Sequence, residues 1–144
     1  YLEGAQSLSQ QEAFLFNKVR YIRIMAEIYR ILGELETARN YCHESIDWFL
    51  TYADDPENSL FDVVEARLIM GKILVDLGMY QDALDYLAKA KTAFEICQHY
   101  ALGETLLYLG KAYQGLGGAV FLRQAQAYVT QALAEFQRLE RQRY

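Results

Sequence analysis

A four-point ladder of small residues recurs along this chain and restricts its fold more than any other feature. A small residue is followed by a glycine seven positions later, an alanine five later and another small residue seven later. The three copies are Ala26, Gly33, Ala38 and Ser45; Gly71, Gly78, Ala83 and Ala90; and Gly110, Gly117, Ala125 and Ala132, with three extra residues before Ala125. Corresponding positions lie 45 residues apart between the first two copies and 39 to 42 apart between the second and third. Such self-similarity is typical of stacked repeat folds.

Each copy carries the pattern of two packed helices. In the first copy Met25, Tyr29 and Leu32 fall at helical intervals on one face. The small ladder residues allow a partner helix to approach closely. The ladder glycines fit the left-handed position that ends a helix without a Cβ penalty. Each copy is therefore predicted to be a helix, a tight turn and a second helix.

The caps and breakers give coarse boundaries. We expect one all-α domain over residues 1–144, with repeats at about 10–53, 59–97 and 100–141. The six antiparallel helices are predicted at about 10–32, 34–53, 59–77, 80–97, 100–116 and 119–141. Ser9 and Glu12 form a candidate capping box, and in the loop at 54–59 either Asn58 or Ser59 can cap the third helix. The extra residues at 119–122 should lengthen the sixth helix or bulge from the turn, leaving Ala125 in place.

Composition excludes several classes of protein. Of the 144 residues, 53% are apolar and 23% charged, and there is a single proline, so the chain is not a low-complexity segment. The apolar runs are too short to span a membrane. The net charge of −5 comes without a concentrated basic stretch, which argues against a nucleic-acid partner. Two cysteines and two histidines favour reduced thiols, and we expect a cytoplasmic protein. Because the chain begins at Tyr1, we expect it to be a fragment of a longer protein.

The ladder resembles the tetratricopeptide repeat family. The match includes the ladder itself, the aromatic or leucine at Tyr29, Leu74 and Tyr113, and Tyr80 after a turn glycine, and it covers roughly residues 14–141. The repeats exceed the common 34 residues and lack the usual closing proline. They look more like the extended repeats of kinesin light chains and of Rap-type and MalT-like bacterial regulators. The resemblance implies an α-solenoid with a right-handed superhelix, whose first helices line a concave groove.

The groove positions follow from that resemblance and from counting outward from the packed faces. They are Arg20, Arg23, Glu27 and Arg30; Glu65, Leu68, Lys72 and Val75; and Glu104, Leu107, Lys111 and Gln114. One interpretation is a peptide groove with a basic end, suited to an acidic segment or a C-terminal carboxylate, and an apolar strip at Leu68 and Leu107. The alternative is that Arg20 pairs with Glu65 and Glu27 with Lys72 between repeats. Arg23 and Arg30 have no obvious partner in the sequence, and they are the preferred ligand contacts.

The carboxylate clamp known in this family does not fit the residues found here. Glu27 occupies the place where an asparagine is required, and it would repel a carboxylate. Ile69 takes the second asparagine position, and Glu104 and Tyr108 replace the basic pair of the third repeat. Binding of a chaperone tail is therefore disfavoured.

Other candidate chemistry is incomplete. Cys42 with His43, and Cys97 with His99, join a thiol and an imidazole, but the two pairs belong to different repeats. The run from Gly115 to Gly118 follows a helix rather than a strand and lacks the lysine and hydroxyl residue of a phosphate loop. We expect no catalytic residues, no cofactor and no metal site.

Two functions remain open. The first is a non-catalytic interaction module that binds a partner peptide or domain through the concave groove. The second is a regulatory segment of a multidomain bacterial signalling or transcription-regulating protein, packed on a neighbouring domain. Helix 1 is apolar on more than one face, and we expect Phe14, Phe16 and Ile24 to contact a missing repeat, another domain or a second copy of the chain. The polar end of helix 6 is expected to cap the other side of the stack.

Overall fold

The chain folds into six helices joined by short turns. The structure, a computed structural model, describes the backbone of residues 2–52 and 56–142 and the side chains of residues 14, 17–51 and 61–142. The helices are α1 (Leu2–Ile31), α2 (Leu35–Tyr52), α3 (Pro56–Asp76), α4 (Tyr80–Cys97), α5 (Leu102–Leu116) and α6 (Ala119–Gln142). This architecture confirms the predicted all-α repeat stack. Within those ranges, no helix combines the length and the apolar character needed to cross a membrane.

The helices pack in chain order, and the stack bends toward its odd-numbered members. Each helix contacts the next one, α1 also contacts α3, and α3 also contacts α5. Over the described part of the chain, the even-numbered helices do not contact one another. The odd-numbered helices therefore lie side by side on the inner face of the bend, where the sequence placed the groove.

The ladder residues lie where paired helices approach most closely. A Cβ atom on Gly71 would lie 2.5 Å from the side chain of Leu87 in α4, and one on Gly110 would lie 2.6 Å from Val129 in α6. Ala26, Ala38 and Ala83 are fully buried. A larger side chain at these positions would push the two helices of a hairpin apart, which is why the ladder repeats with the fold.

Stacked tyrosines reinforce the same hairpins. Tyr29 and Tyr41 stack with centroids 5.5 Å apart in the first repeat, and Tyr113 and Tyr128 stack at 5.6 Å in the third. The two pairs occupy equivalent ladder positions. The first and third repeats thus share this internal contact, whereas the second repeat has Leu74 and Tyr86 at the same positions.

Gly33 and Gly78 end α1 and α3 as expected, with φ values of 84° and 80°. Gly117 ends α5 with a φ of 74° but a ψ of 177°, so it is not in the left-handed helical conformation and the prediction is wrong for the third repeat. After α1, the N–H of Glu34 donates to the carbonyl of Tyr29 and the N–H of Gly33 to that of Arg30. This pattern is the Schellman motif, which requires a left-handed residue at the position of the glycine.

Two predicted helix starts are wrong, and both helices begin earlier. α1 begins at Leu2 and runs through Ser9, so the predicted capping box lies inside the helix. α3 begins at Pro56, a position where the missing N–H of proline costs nothing, so Asn58 and Ser59 lie in its first turn rather than at its cap. Residues 54 and 55 of the predicted loop, and residue 53 at the predicted end of the second helix, lie outside the described residues. The other boundaries agree within about two residues, as such patterns usually allow.

The extra residues of the third repeat lengthen α6. This helix begins at Ala119, and Ala125 and Ala132 remain buried against α5. The three extra residues therefore lie in α6 before its first packed residue. Of the two predicted outcomes, a longer helix or a bulge from the turn, the structure shows the longer helix.

The prediction that α6 caps the stack is wrong. Its last turns are polar, but Val129, Leu133 and Phe136 are about half exposed on its middle portion. The polar residues from Gln137 onward lie C-terminal to this portion of α6 and do not cover it, so the last repeat presents an apolar surface.

Replacing Ala83 by leucine tests the role of the ladder in packing. The added atoms have no space between α3 and α4, and overpacking of this kind costs about 1–3 kcal/mol of unfolding free energy. The matched change Ala127→Leu places the same side chain at an exposed position of α6, where we expect a change within about 0.5 kcal/mol. Urea unfolding measures both. Equal midpoints for the two variants would contradict the packing role of Ala83.

Candidate functional site

A network of ion pairs covers the inner face of the bend. At its N-terminal end, Arg20 forms two hydrogen bonds with the carboxylate of Asp62, at 3.1 and 3.2 Å. Arg23 reaches the same carboxylate at 2.9 Å and Glu65 at 3.0 Å. Asp62 is buried, and it joins α1 to α3 through two guanidinium groups.

A second cluster joins all three odd-numbered helices. Arg30 forms two hydrogen bonds with Glu27, at 2.8 and 3.1 Å, and an ion pair with Asp76 at 3.0 Å. The buried amine of Lys72 pairs with Glu27 at 2.8 Å and also with Glu104. Lys72 therefore connects the first repeat to the third through the second.

The ring of Tyr108 lies among three cations. The charged groups of Lys111, Lys72 and Arg30 lie 4.5, 5.6 and 6.0 Å from its centroid. A cation within about 6 Å of an aromatic face is attracted by its quadrupole. Lys111 is exposed, and it differs from the other two in having no ion pair among the described residues.

The network keeps its groups charged. Burial alone would raise the pKa of Glu27, but hydrogen bonds from Arg30 and Lys72 outweigh burial and hold that pKa below its ordinary value. Burial alone would lower the pKa of Lys72, but hydrogen bonds to Glu104 and Glu27 raise it overall. The hydrogen bond to Glu27 raises the pKa of Arg30. A lowered carboxyl pKa beside raised cation pKa values suits ion pairing rather than proton transfer near neutral pH.

The expectation that Arg23 and Arg30 lack partners is wrong. The two arginines bind Asp62, Glu65, Glu27 and Asp76 within the chain. Sequence reasoning missed Asp62 and Asp76 because the predicted stripe stopped at Glu65 and Val75. Asp62 lies one helical turn before Glu65, so extending the stripe by one turn would have found it. Asp76 lies four residues after Lys72 and directly follows Val75, so it required widening the stripe by one residue.

Other predicted groove contacts have mixed outcomes. Glu27 pairs with Lys72 as predicted, whereas Arg20 binds Asp62 and Glu65 binds Arg23. The expected apolar strip is largely closed, because Leu68 is buried and Leu107 is partly buried. Val75 is also buried, and only Lys111 and Gln114 among the predicted positions of the third repeat are fully exposed.

The thiol and imidazole groups occupy structural positions. Cys42 is fully buried, its thiol donates to the carbonyl of Ala66 at 3.2 Å, and burial raises its pKa to about 12. His99 accepts a hydrogen bond from the N–H of Ala101 at 3.0 Å and stacks on Phe94. Within the part of the chain that the structure describes, no three metal-ligating side chains come together.

An apolar stripe is exposed along α1. Phe14, Tyr21, Ile24, Ile28 and Ile31 follow one another at intervals of seven, three, four and three residues, and each is largely exposed. This spacing places them on one side of the helix. Phe14 and Ile24 were predicted to be contact residues, and the side chain of the third, Phe16, lies outside the described residues. We call this set of five residues the α1 stripe.

A groove between α3 and α4 was not predicted from the sequence. It has a volume of about 710 Å³, and its lining includes Phe61, Ala88, Thr92, Ile96 and Cys97. In the sequence, the apolar residue Ile96 near the end of α4 is a signal that could have indicated it.

Comparisons with protein-family models, with curated proteins and with solved structures give no match for this chain. The function therefore has to be argued from the surfaces described above.

Replacing Lys72 by methionine tests whether the network stabilises the stack. The change leaves Glu27 and Glu104 without their shared cation, and losing hydrogen bonds to charged groups costs about 1–3 kcal/mol of unfolding free energy. Lys111→Met removes an exposed lysine from the same face and should change stability by less than about 0.5 kcal/mol. Urea unfolding compares the two. A Lys72→Met variant as stable as Lys111→Met would show that the network is only a surface feature.

Acid should weaken the same network through Glu27. Since its pKa is lower in the folded chain than the ordinary value of 4.5, its stabilising contribution is present above that value and is lost as the pH falls through the folded pKa. The stability difference between the wild type and Glu27→Gln should therefore shrink as the pH falls below 4.5. Glu44→Gln, at an exposed position of α2, provides the control. A wild-type advantage that is independent of pH would contradict the assignment.

Proposed function

We propose that this chain is a non-catalytic protein-interaction module built from tetratricopeptide-like repeats. The observation that supports this most is the α1 stripe. α1 already packs on α2 and contacts α3, yet it exposes a further apolar side over more than four turns. Contiguous apolar surface of this kind marks interaction sites in soluble proteins.

The inner face is the less favoured binding surface in this proposal. Its arginines and Lys72 already bind carboxylates of the same chain, and a ligand would have to displace those partners. The apolar side chain of Leu68, which was expected to receive a ligand, is buried. The remaining exposed groups, Lys111 and Gln114, offer a small polar contact at one end. A partner of the inner face would therefore gain little from charge attraction.

Two occupants of the α1 stripe are consistent with the two hypotheses from the sequence. A separate protein partner corresponds to an interaction module. A neighbouring domain of the same polypeptide corresponds to a regulatory segment, such as those of the bacterial regulators that the repeats resemble. In both cases the apolar side chains supply the binding free energy by leaving water, and no side chain performs catalysis. The proposed location of either is the cytoplasm.

Site-specific photocrosslinking in cell extract tests the proposal. A benzophenone amino acid at Ile28 reports on the α1 stripe, and the same amino acid at Lys111 reports on the inner face. We expect a covalent adduct with another polypeptide from Ile28 and none from Lys111. Adducts from Lys111 alone would restore the groove hypothesis, and the absence of adducts from either position would contradict an interaction role for both surfaces.

A further inference from the structure

The interfaces between consecutive repeats, here called joints, are all built from the same two kinds of helix. The second helix of a repeat packs on the first helix of the next, so α2 contacts α3 and α4 contacts α5. At the first joint, the thiol of Cys42 contacts the backbone of Ala66 at 3.2 Å. Cys42 lies four residues after the ladder residue Ala38, and Ala66 lies five before Gly71. These ladder positions identify the two sides of any joint.

The side contributed by the first helix is here called the leading face. It consists of three residues, which lie five positions before, one position before and two positions after the first ladder residue. In α3 and α5 it is fully buried: Ala66, Met70, Ile73, Thr105, Leu109 and Ala112 are at most 2% exposed. In α1 the equivalent residues Tyr21, Met25 and Ile28 are 66%, 37% and 43% exposed. The leading face of α1 is therefore apolar and uncovered.

The side contributed by the second helix is here called the trailing face. It consists of the residues four, eight and eleven after the ladder alanine. In α2 these are Cys42, Ile46 and Phe49, at most 5% exposed, and in α4 Leu87 and Phe94 are fully buried beside Lys91. In α6 the equivalent residues Val129, Leu133 and Phe136 are 44%, 56% and 44% exposed.

The exposure of the last trailing face has a simple cause. Val129 approaches Gly110 within its own repeat just as Leu87 approaches Gly71. Leu87 is fully buried in a helix against which α5 packs, whereas no described helix follows α6. The chain thus carries the two halves of one joint at its opposite ends, and every member of both halves is apolar or aromatic.

We infer that copies of this chain associate head to tail, with the trailing face of α6 on one copy packed against the leading face of α1 on the next. This inference rests on the proposed interaction role and names a second copy as the occupant. The two joints inside the chain provide the template, because the intermolecular contact continues the same stacking with the same classes of side chain. Since the two faces differ, each added copy leaves one of each exposed, and association extends beyond a pair of chains.

Two charge variants separate this arrangement from contacts between like faces. Ile28→Lys disables the leading face and Leu133→Lys the trailing face. Both positions are exposed, and Leu133 lies away from the close contact with Gly110, so each variant should fold. Sedimentation velocity of the wild type should show a series of oligomers that grows with concentration, whereas each variant alone should remain monomeric. Mixing the two variants should give a complex of two chains and nothing larger, because one copy retains each face. Ala127→Lys, on the opposite side of α6, should behave as the wild type.

The contradicting results are equally definite. A wild type that stays monomeric at its highest soluble concentration would overturn head-to-tail association. So would oligomers of Ile28→Lys alone, which would require contact between two α6 helices, or a mixture of the variants that stays monomeric. The proposed interaction role can be tested independently of this outcome. A monomeric chain that still forms an adduct with a different polypeptide from Ile28 would retain that role and exclude a second copy as its partner.

Discussion

The close approach of the two helices in each hairpin is the constraint on which the rest of this structure depends. At Gly71 and Gly110 there is no room for a Cβ atom. The spacing of the ladder therefore fixes how the paired helices pack. Once that packing is fixed, the leading and trailing faces are directed toward the neighbouring repeats. The spacing of the ladder therefore determines both the joints inside the chain and the uncovered faces at its two ends.

Ion pairs on the inner face connect the repeats of the same stack. Asp62 and Lys72 are buried side chains that form ion pairs with residues of neighbouring repeats. The attraction within each pair offsets the cost of removing both groups from water. The network spans all three odd-numbered helices and makes their mutual positions interdependent. A surface that has already satisfied its own charges attracts an acidic peptide less than its arginine content suggests. The apolar ends, which have no such internal partners, are better suited to binding.

The sequence was sufficient for the parts of the structure that depend on local spacing. The hairpins, the left-handed glycines and the Glu27–Lys72 pair all follow from residues a few turns apart or from equivalent positions in the ladder. The partners of Arg23 and Arg30 did not follow, because Asp62 lies one turn before the predicted stripe and Asp76 lies beside its last residue, Val75. The exposure of Val129 and Phe136 could not be read from their apolar character, since equivalent residues in the earlier repeats are buried. Burial at these positions depends on whether another helix follows.

Hydrogen exchange at low and high protein concentration tests the central claim most directly, namely that the two ends are halves of one joint. Amides in α1 around Tyr21–Ile28 and in α6 around Val129–Phe136 should exchange more slowly at high concentration, and the two regions should change together. Amides of α3 around Met70, which are already covered inside the chain, should exchange at the same rate at both concentrations. Protection that increases in only one of the end helices, or on the inner face instead, would contradict the account.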